Sequence, residues 1–341
     1  MPKRNIVVVG ASAGGIEALR ILVGGLPEDF QGAILAVMHI SADSPGLLQT
    51  ILQRSGVLRV INPVDHQPIE NGKIYVAPAD HHMLVQPGRI RLTHGPKENR
   101  FRPAIDPLFR SAAQVYGPRV IGVILTGGLD DGTAGLWAVK QLGGIAIVQD
   151  PNEAMYPSMP LSALTYVKVD YRLPINDIPK LLVQLTQFEI DGKPSSQSLR
   201  NLDLEVRIAK QDPAIDMDVR EIWEKTSYTC PECHGVLLRL EEGGRIRFRC
   251  HTGHAFSADS LLAELTQNIE EQLWSTVRSI EESALLMRHI ANHVRQAADG
   301  ETADEFLRKA NEAVERAEIV RRAITQHEEL NIARVEEESR M

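Results

Sequence analysis

The 341-residue sequence predicts an α/β protein: a doubly wound, mostly parallel sheet of Rossmann-like type with a small antiparallel meander, followed by a zinc-ribbon-like segment and an α-helical hairpin. Three observations carry this expectation. Short β-branched apolar runs alternate with amphipathic segments through the first half. All three cysteines fall between Cys230 and Cys250. No proline follows Pro231, and apolar residues at helical spacing take over to the end.

The runs Asn5 to Gly10, Ala33 to His39, Arg119 to Gly127 and Ile145 to Asp150 read as buried strands, being continuously apolar rather than alternating. Between them, Gly15 to Leu26, Pro45 to Arg54, Pro103 to Tyr116 and Thr133 to Leu142 read as helices that cover the sheet. Lys73 to Gly95 alternates at period two around Pro87-Gly88 and reads as the meander. Gly192 to Pro213 is polar and aperiodic, the signature of a linker with some helical character. From Ala258 to about Glu338, Leu261, Leu262, Leu265, Ile269, Leu273, Val277 and Ile280 recur at helical spacing. A break at Ala298-Asp299-Gly300 divides the stretch into two helices. The expected domains are therefore a sheet domain (1–190), a linker (191–227), a ribbon (228–257) and the hairpin (258–341).

Composition excludes several function classes. The chain carries 45 acidic and 37 basic side chains, and residues 259–341 hold 18 of the acidic and 10 of the basic ones, so the whole net charge of −8 sits on the hairpin. A neutral body with an acidic tail lacks the basic face that nucleic acid requires. No apolar run approaches the roughly 18 residues of a spanning helix, so no direct membrane insertion is expected. Three cysteines leave a paired disulfide framework with a remainder, and MPKRNIVVVG shows no cleavage-site pattern. A cytoplasmic setting is expected.

The most pointed local sequence is VVVGASAGGIEAL, Val7 to Leu19, where a strand ends in a glycine-flanked serine and a helix begins. Helix N-termini present unpaired N–H groups and a partial positive charge, so Ser12 sits where an oxyanion would be stabilised. The same turn suits a nucleotide phosphate or a plain N-cap serine. Two further strand ends decide between these readings. His39 closes the second strand, and Asp130 or Asp131 follows the strand Arg119 to Gly127. Parallel strands deliver their carboxyl ends to one edge, so a serine, an imidazole and a carboxylate converge there, which specifies acyl transfer.

These residues, with IYVAPADHHMLV, ENRFRPAIDPLF, LTGGLDDG and QDPNEAMYPSMP in order, resemble the catalytic domain of the chemotaxis protein-glutamate methylesterases (CheB), over about residues 4–185. The resemblance implies that Ser12 is the nucleophile, His39 the general base and Asp131 the orienting carboxylate, with Asp130 at the helix entry. It also implies a serine hydrolase that removes methyl esters from glutamate side chains of chemoreceptor-like helical bundles and deamidates glutamine, with no cofactor in catalysis. Arg102 and Asp106 match a further family motif and also read as a salt bridge or helix cap; His81 and His82 read as meander residues. The chain departs from the family pattern at Ala13, where threonine is common, at Gly128-Leu129 in place of Met-Gly, and at Met38 in place of glutamine. The first two changes bear on the rim of the site and hence on substrate preference. The best-known family member carries a receiver domain ahead of the esterase, so control by phosphorylation in cis is not expected here.

The segment YTCPECHGVLLRLEEGGRIRFRCHTGH pairs Cys230-x2-Cys233 with Cys250 and His254 across a hairpin turning at Glu241 to Gly244. Two knuckles of this spacing suit tetrahedral zinc in a closed, structural site; His254 has the knuckle spacing, with His234 and His251 nearby. A redox Cys-x2-Cys pair would need a thioredoxin-like βαβ context, which is absent. The ribbon and acidic hairpin are expected to dock a protein partner. Two rival functions are a scaffold working through that module, and a nucleotide-binding Rossmann protein, which would want an acidic ribose ligand where His39 stands.

Overall fold

The computed structural model describes residues 3–190, 200–211, 223–296 and 300–327. Strands β1 (Ile6–Ala11), β2 (Ala33–Met38), β3 (Arg59–Ile61), β4 (Lys73–Val76), β7 (Val120–Ile124), β8 (Ile145–Gln149) and β9 (Tyr171–Leu173) form one seven-stranded sheet in the order β3-β4-β2-β1-β7-β8-β9. Every pairing in it is parallel. Helices α1 (Gly15–Gly24), α2 (Leu48–Gln53), α3 (Ile105–Tyr116), α4 (Thr133–Gln141), α5 (Ser158–Tyr166) and α6 (Ile178–Gln187) cover it. Two buried cores lie on its opposite faces. Ile6 and Val8 belong to one with Leu35, Phe109 and Leu136, while Val7 and Val9 belong to the other with Leu19, Leu22 and Ile34. This is the alternation a strand imposes when both faces are covered.

The expected meander is divided between two sheets. Lys73–Val76 pairs in parallel with β2 and β3, and only β5 (His82–Gln86) and β6 (Arg89–Thr93) form the antiparallel hairpin, turning at Gly88 with φ 72°. The physical reason is the burial of Ile74, Tyr75 and Val76, which suits a core strand rather than a half-solvated ribbon.

Within the stretch expected to be a linker, Arg200–Ala209 forms a helix, α7. Its Leu202 and Val206 join the sheet-domain core, while Leu204 and Ile208 pack with Trp223, Leu238 and Leu240 of the segment that follows. The remainder of that stretch, 191–199 and 212–222, lies outside the described residues, as do Ala298, Asp299 and the end of the hairpin from 328. The cysteine segment is a four-stranded antiparallel sheet of β10 (Glu224–Thr229), β11 (Val236–Glu242), β12 (Arg245–Cys250) and β13 (Ala255–Ser257). It belongs to the same compact unit as the parallel sheet, residues 1–261. Beyond that unit, α8 (Ala258–Gln296) continues into a hairpin with α9 (Gly300–Thr325). Ala284, Ala310 and Ala313 pack there with Ile280 and Met287. Among the described residues no helix is long and apolar enough to cross a membrane.

What fastens the cysteine sheet is a buried ion cluster. In β12, Arg245, Arg247 and Arg249 are 7%, 4% and 2% exposed, so the charged face of the strand is buried; on the other face Ile246 is 39% exposed while Phe248 and Cys250 are buried. Arg249 bonds both Glu98 and Glu205 at 3.1 Å, Arg247 bonds Glu205 at 2.7 Å, and Arg110 of α3 pairs with Glu98 and, at 3.6 Å, with Glu205. Burial alone would raise both glutamates, but the surrounding guanidinium groups hold their carboxyls below the usual range. Removing one partner strands the rest as unpaired buried charge. Glu205→Ala is therefore expected to cost about 3–5 kcal/mol in urea unfolding at neutral pH; a loss under 1 kcal/mol would show that the cluster does not fasten the two sheets.

Candidate active site

The parallel register assembles the site. Ala11 of β1 pairs with Met38 of β2, so the next residues, Ser12 and His39, emerge side by side from the carboxyl edge. Gly10 pairs with Ile124 of β7, whose following loop brings Asp131 to the same edge. The His39 N–H donates to Ala11 O at 3.2 Å and the Ser12 N–H to Thr126 O at 3.0 Å, fixing both turns. Gly14 caps α1 with φ 73°, a left-handed conformation that glycine adopts without strain. A side chain on Gly127 would clash with Met159 Sδ and meet Ser12 Cβ at 2.8 Å, so glycine there lets the β7 loop approach the serine.

The structure brings Ser12, His39 and Asp131 into one hydrogen-bonded chain. His39 Nδ1 lies 3.0 Å from Ser12 Oγ and His39 Nε2 lies 2.7 Å from Asp131 Oδ2, with the His39 and Asp131 side chains 3% and 2% exposed. A carboxylate at Nε2 holds the proton there and leaves the Nδ1 lone pair facing the serine hydroxyl. The two ring nitrogens thus take the reverse of their roles in the serine-protease template.

Asp131 is kept ionised by the loops around it. Its Oδ2 also accepts the Ile105 N–H at 2.7 Å, and its Oδ1 accepts Asn99 Nδ2 at 2.8 Å, the Gly132 N–H at 2.9 Å and the Asp106 N–H at 3.3 Å. Ile105 and Asp106 begin α3, whose own N-cap, Ala104, supplies no side-chain bond, so Asp131 caps that helix from another loop. Burial opposes ionisation, but the His39 hydrogen bond and charge and these donors outweigh it and hold the carboxyl below its ordinary value.

Sequence reasoning did not single out two further groups. Phe101 stacks on His39 with ring centroids 3.7 Å apart and an interplanar angle of 7°, restricting the imidazole from its face. Asn99 bridges Asp131 and Asp106, reaching Asp106 Oδ2 at 3.1 Å. Both lie in ENRFRPAIDPLF, where neither residue type carries a signal of its own. Arg102 is a surface-side ion pair, bonding Asp80 Oδ1 through Nε at 2.8 Å and Gly95 O at 2.7 Å. Asp106 accepts the Gly135 N–H at 2.6 Å, tying α3 to α4; burial, with repulsion from Asp131, raises its pKa. His82 is buried, with Nε2 2.9 Å from Pro96 O, and His81 Nδ1 lies 3.0 Å from Ala79 O.

Asp130 does not use its side chain to enter α4, which Gly132 caps; instead its Oδ1 accepts a 2.6 Å bond from Ser257 Oγ. The short turn to Gly132 faces it towards the cysteine sheet.

Cys230, Cys233, Cys250 and His254 place their ligand atoms within 4.8 Å of one another and could hold a metal ion. Cys233 and Cys250 sulfurs are 3.6 Å apart, and His254 Nδ1 is 3.7 and 3.6 Å from the sulfurs of Cys230 and Cys250. A tetrahedron with zinc–sulfur bonds of ~2.3 Å has sulfur–sulfur edges of ~3.8 Å, so the set fits. His234 and His251 are not among its members.

Burial, chiefly, pushes the Asp130 carboxyl up to about 7, against the Ser257 hydrogen bond and with added repulsion from Asp259, Asp106 and Asp131. A folded pKa above the unfolded one means that the folded state binds the extra proton. This contribution is complete below the unfolded value of 3.8 and is lost as pH rises through about 7. Asp130→Asn is therefore expected to gain stability relative to wild type as urea unfolding is repeated from low to mildly alkaline pH. A difference that stays constant across that range would contradict the assignment.

Against known proteins, the model of the family described as CheB methylesterase matches residues 7–182. A Leptospira interrogans protein is 38% identical over 188 residues, 55% of this chain and 97% of its own length. The protein-glutamate methylesterase/protein-glutamine glutaminase 2 of Anaeromyxobacter dehalogenans is 37% identical over 54% of each chain. This chain spans about half the length of that relative. The crystal structure of the Thermotoga maritima CheB methylesterase catalytic domain superposes with a TM-score of 0.52 at 34% identity, over 54% of this chain and all of that one.

Proposed function

The chain belongs to the CheB methylesterase family, and from that premise we propose that it is a protein-glutamate methylesterase working through Ser12, His39 and Asp131. The observation that carries this reading is the unbroken hydrogen-bonded chain from Ser12 Oγ to the buried Asp131 carboxylate. His39 Nδ1 takes the Ser12 proton as the oxygen attacks the ester carbonyl of a methylated glutamate. The Ala13 N–H, in the turn just before the N-cap of α1, is the proposed oxyanion donor, since the Ser12 N–H is already bonded to Thr126 O. Protonated His39 returns the proton to the departing methoxide, which is too basic to leave unassisted. Throughout, Asp131 stays ionised beside the imidazolium, and Phe101 stacks on the cation. Water then repeats the cycle on the acyl-enzyme, releasing glutamate and restoring Ser12. A glutamine amide follows the same route with ammonia as the leaving group, which is the proposed glutaminase activity.

Residues 1–190 are assigned to this chemistry. The proposed substrates are methylated chemoreceptor-like helical bundles in the cytoplasm. Ala13 is exposed and Met155, beside Gly14, is 69% exposed, giving an open rim that suits a macromolecular ester. The ion proposed for Cys230, Cys233, Cys250 and His254 is zinc. With four protein ligands the set leaves no position for substrate, so its role is structural. The acidic hairpin, with Trp274, Leu285 and Leu286 exposed, is assigned to partner docking.

Methanol release from methylated receptor fragments tests the triad: Ser12→Ala and His39→Ala are each expected to lower turnover by on the order of 10^4 with the fold retained, and a Ser12→Ala protein that still releases methanol would refute it. For the metal, elemental analysis of purified protein should find bound zinc, and a strong chelator should lower the melting temperature. Metal-free protein whose melting is indifferent to chelator would contradict the assignment.

A further inference from the structure

The family match ends at residue 182, yet the antiparallel sheet beyond it touches the loop that supports the triad. Lys97, Glu98 and Asn99 are each held by that sheet. The Ala255 N–H donates to Lys97 O at 3.2 Å, and Lys97 Nζ bonds Glu232 at 2.8 Å. Glu98 pairs with Arg249 at 3.1 Å and forms a parallel bridge with Ala255. The Asn99 N–H donates to Ala255 O at 2.8 Å. The loop therefore lies along β13 like a further strand, and two residues later Phe101 reaches His39.

The Asn99 side chain carries the connection furthest. It is buried at 4% exposure, and all four hydrogen-bonding positions of its carboxamide are used. The NH2 donates to Asp131 Oδ1 at 2.8 Å and to Asp106 Oδ2 at 3.1 Å; the carbonyl accepts the Ser257 N–H at 3.0 Å and Ser260 Oγ at 3.2 Å. Rotated by half a turn, the amide would set its carbonyl against two carboxylates and its NH2 against an N–H. The donors from Ser257 and Ser260 at one end and the two carboxylates at the other therefore fix together which end of Asn99 faces Asp131. In the same place, Ser257 Oγ bonds Asp130, the neighbour of Asp131.

We propose that the cysteine-bearing sheet, with the first turn of α8 that continues from it, is a positioning element of the esterase: through Ser257 of β13 and Ser260 of α8 it orients Asn99, and Asn99 orients Asp131. The proposal rests on the triad reading. Asn99, Ser257 and Ser260 touch no substrate in it and act through Asp131 and His39.

The test uses the full chain and an activated ester that gives a burst, so that the fraction of competent sites and their rate are read separately. Asn99→Ala is expected to lower the acylation rate by roughly tenfold to a hundredfold and Ser260→Ala by about threefold to tenfold, with burst amplitude and KM near wild type. Ser260→Thr, which retains the hydroxyl, should recover most of the Ser260→Ala loss. Wild-type acylation rates in Asn99→Ala and Ser260→Ala would overturn the proposal. So would a reduced burst amplitude at an unchanged rate, since that is lost fold and not lost positioning. Ser12→Ala runs alongside: activity surviving in it defeats the triad reading itself, whereas an inert Ser12→Ala beside unimpaired Asn99 and Ser260 variants defeats only the positioning role.

Discussion

The rest of the site depends on one requirement, that a carboxylate 2% exposed to solvent must stay charged. A buried anion is tolerated only when it is paired and fully hydrogen-bonded, and Asp131 draws its donors from three separate places in the chain. The β2 end supplies His39, the turn into α4 supplies Gly132, and the segment Asn99 to Asp106 supplies a carboxamide and the first N–H groups of α3. The same bonds that keep Asp131 ionised fix the mutual positions of these loops. Electrostatic stabilisation of the anion and geometric definition of the site are thus a single arrangement.

Much of that arrangement was legible in the sequence. Parallel strands with continuous apolar runs commit their carboxyl ends to one edge, so Ser12, His39 and an aspartate after the strand Arg119 to Gly127 could be placed together from the sequence. Choosing Asp131 over Asp130 needed the family resemblance, because both follow the same strand and either side chain could have turned inward. The structure separates them: Asp131 turns to His39, and Asp130 turns to Ser257.

What escaped the sequence reading has a common cause. Asn99 and Phe101 take their roles from what lies across the loop, and no local period marks an asparagine as a bridge between carboxylates. The strand RIRFRC is more instructive. Its arginines point inward because Glu98 and Glu205 await them there, while on the other face Ile246 is exposed and Phe248 is buried. A hydrophobicity pattern registers burial of apolar surface and is blind to a buried ionic layer. That layer fastens the cysteine sheet within the compact unit that contains the active site.

The account stands on Ser12 being a nucleophile activated by His39. The most direct measurement is mass-spectrometric mapping of a fluorophosphonate adduct on the folded chain, beside His39→Ala verified as folded by circular dichroism. The account predicts a single adduct on Ser12 in wild type and its near-complete loss in His39→Ala. Folded wild-type protein that takes no adduct, or takes it equally with and without His39, would contradict it.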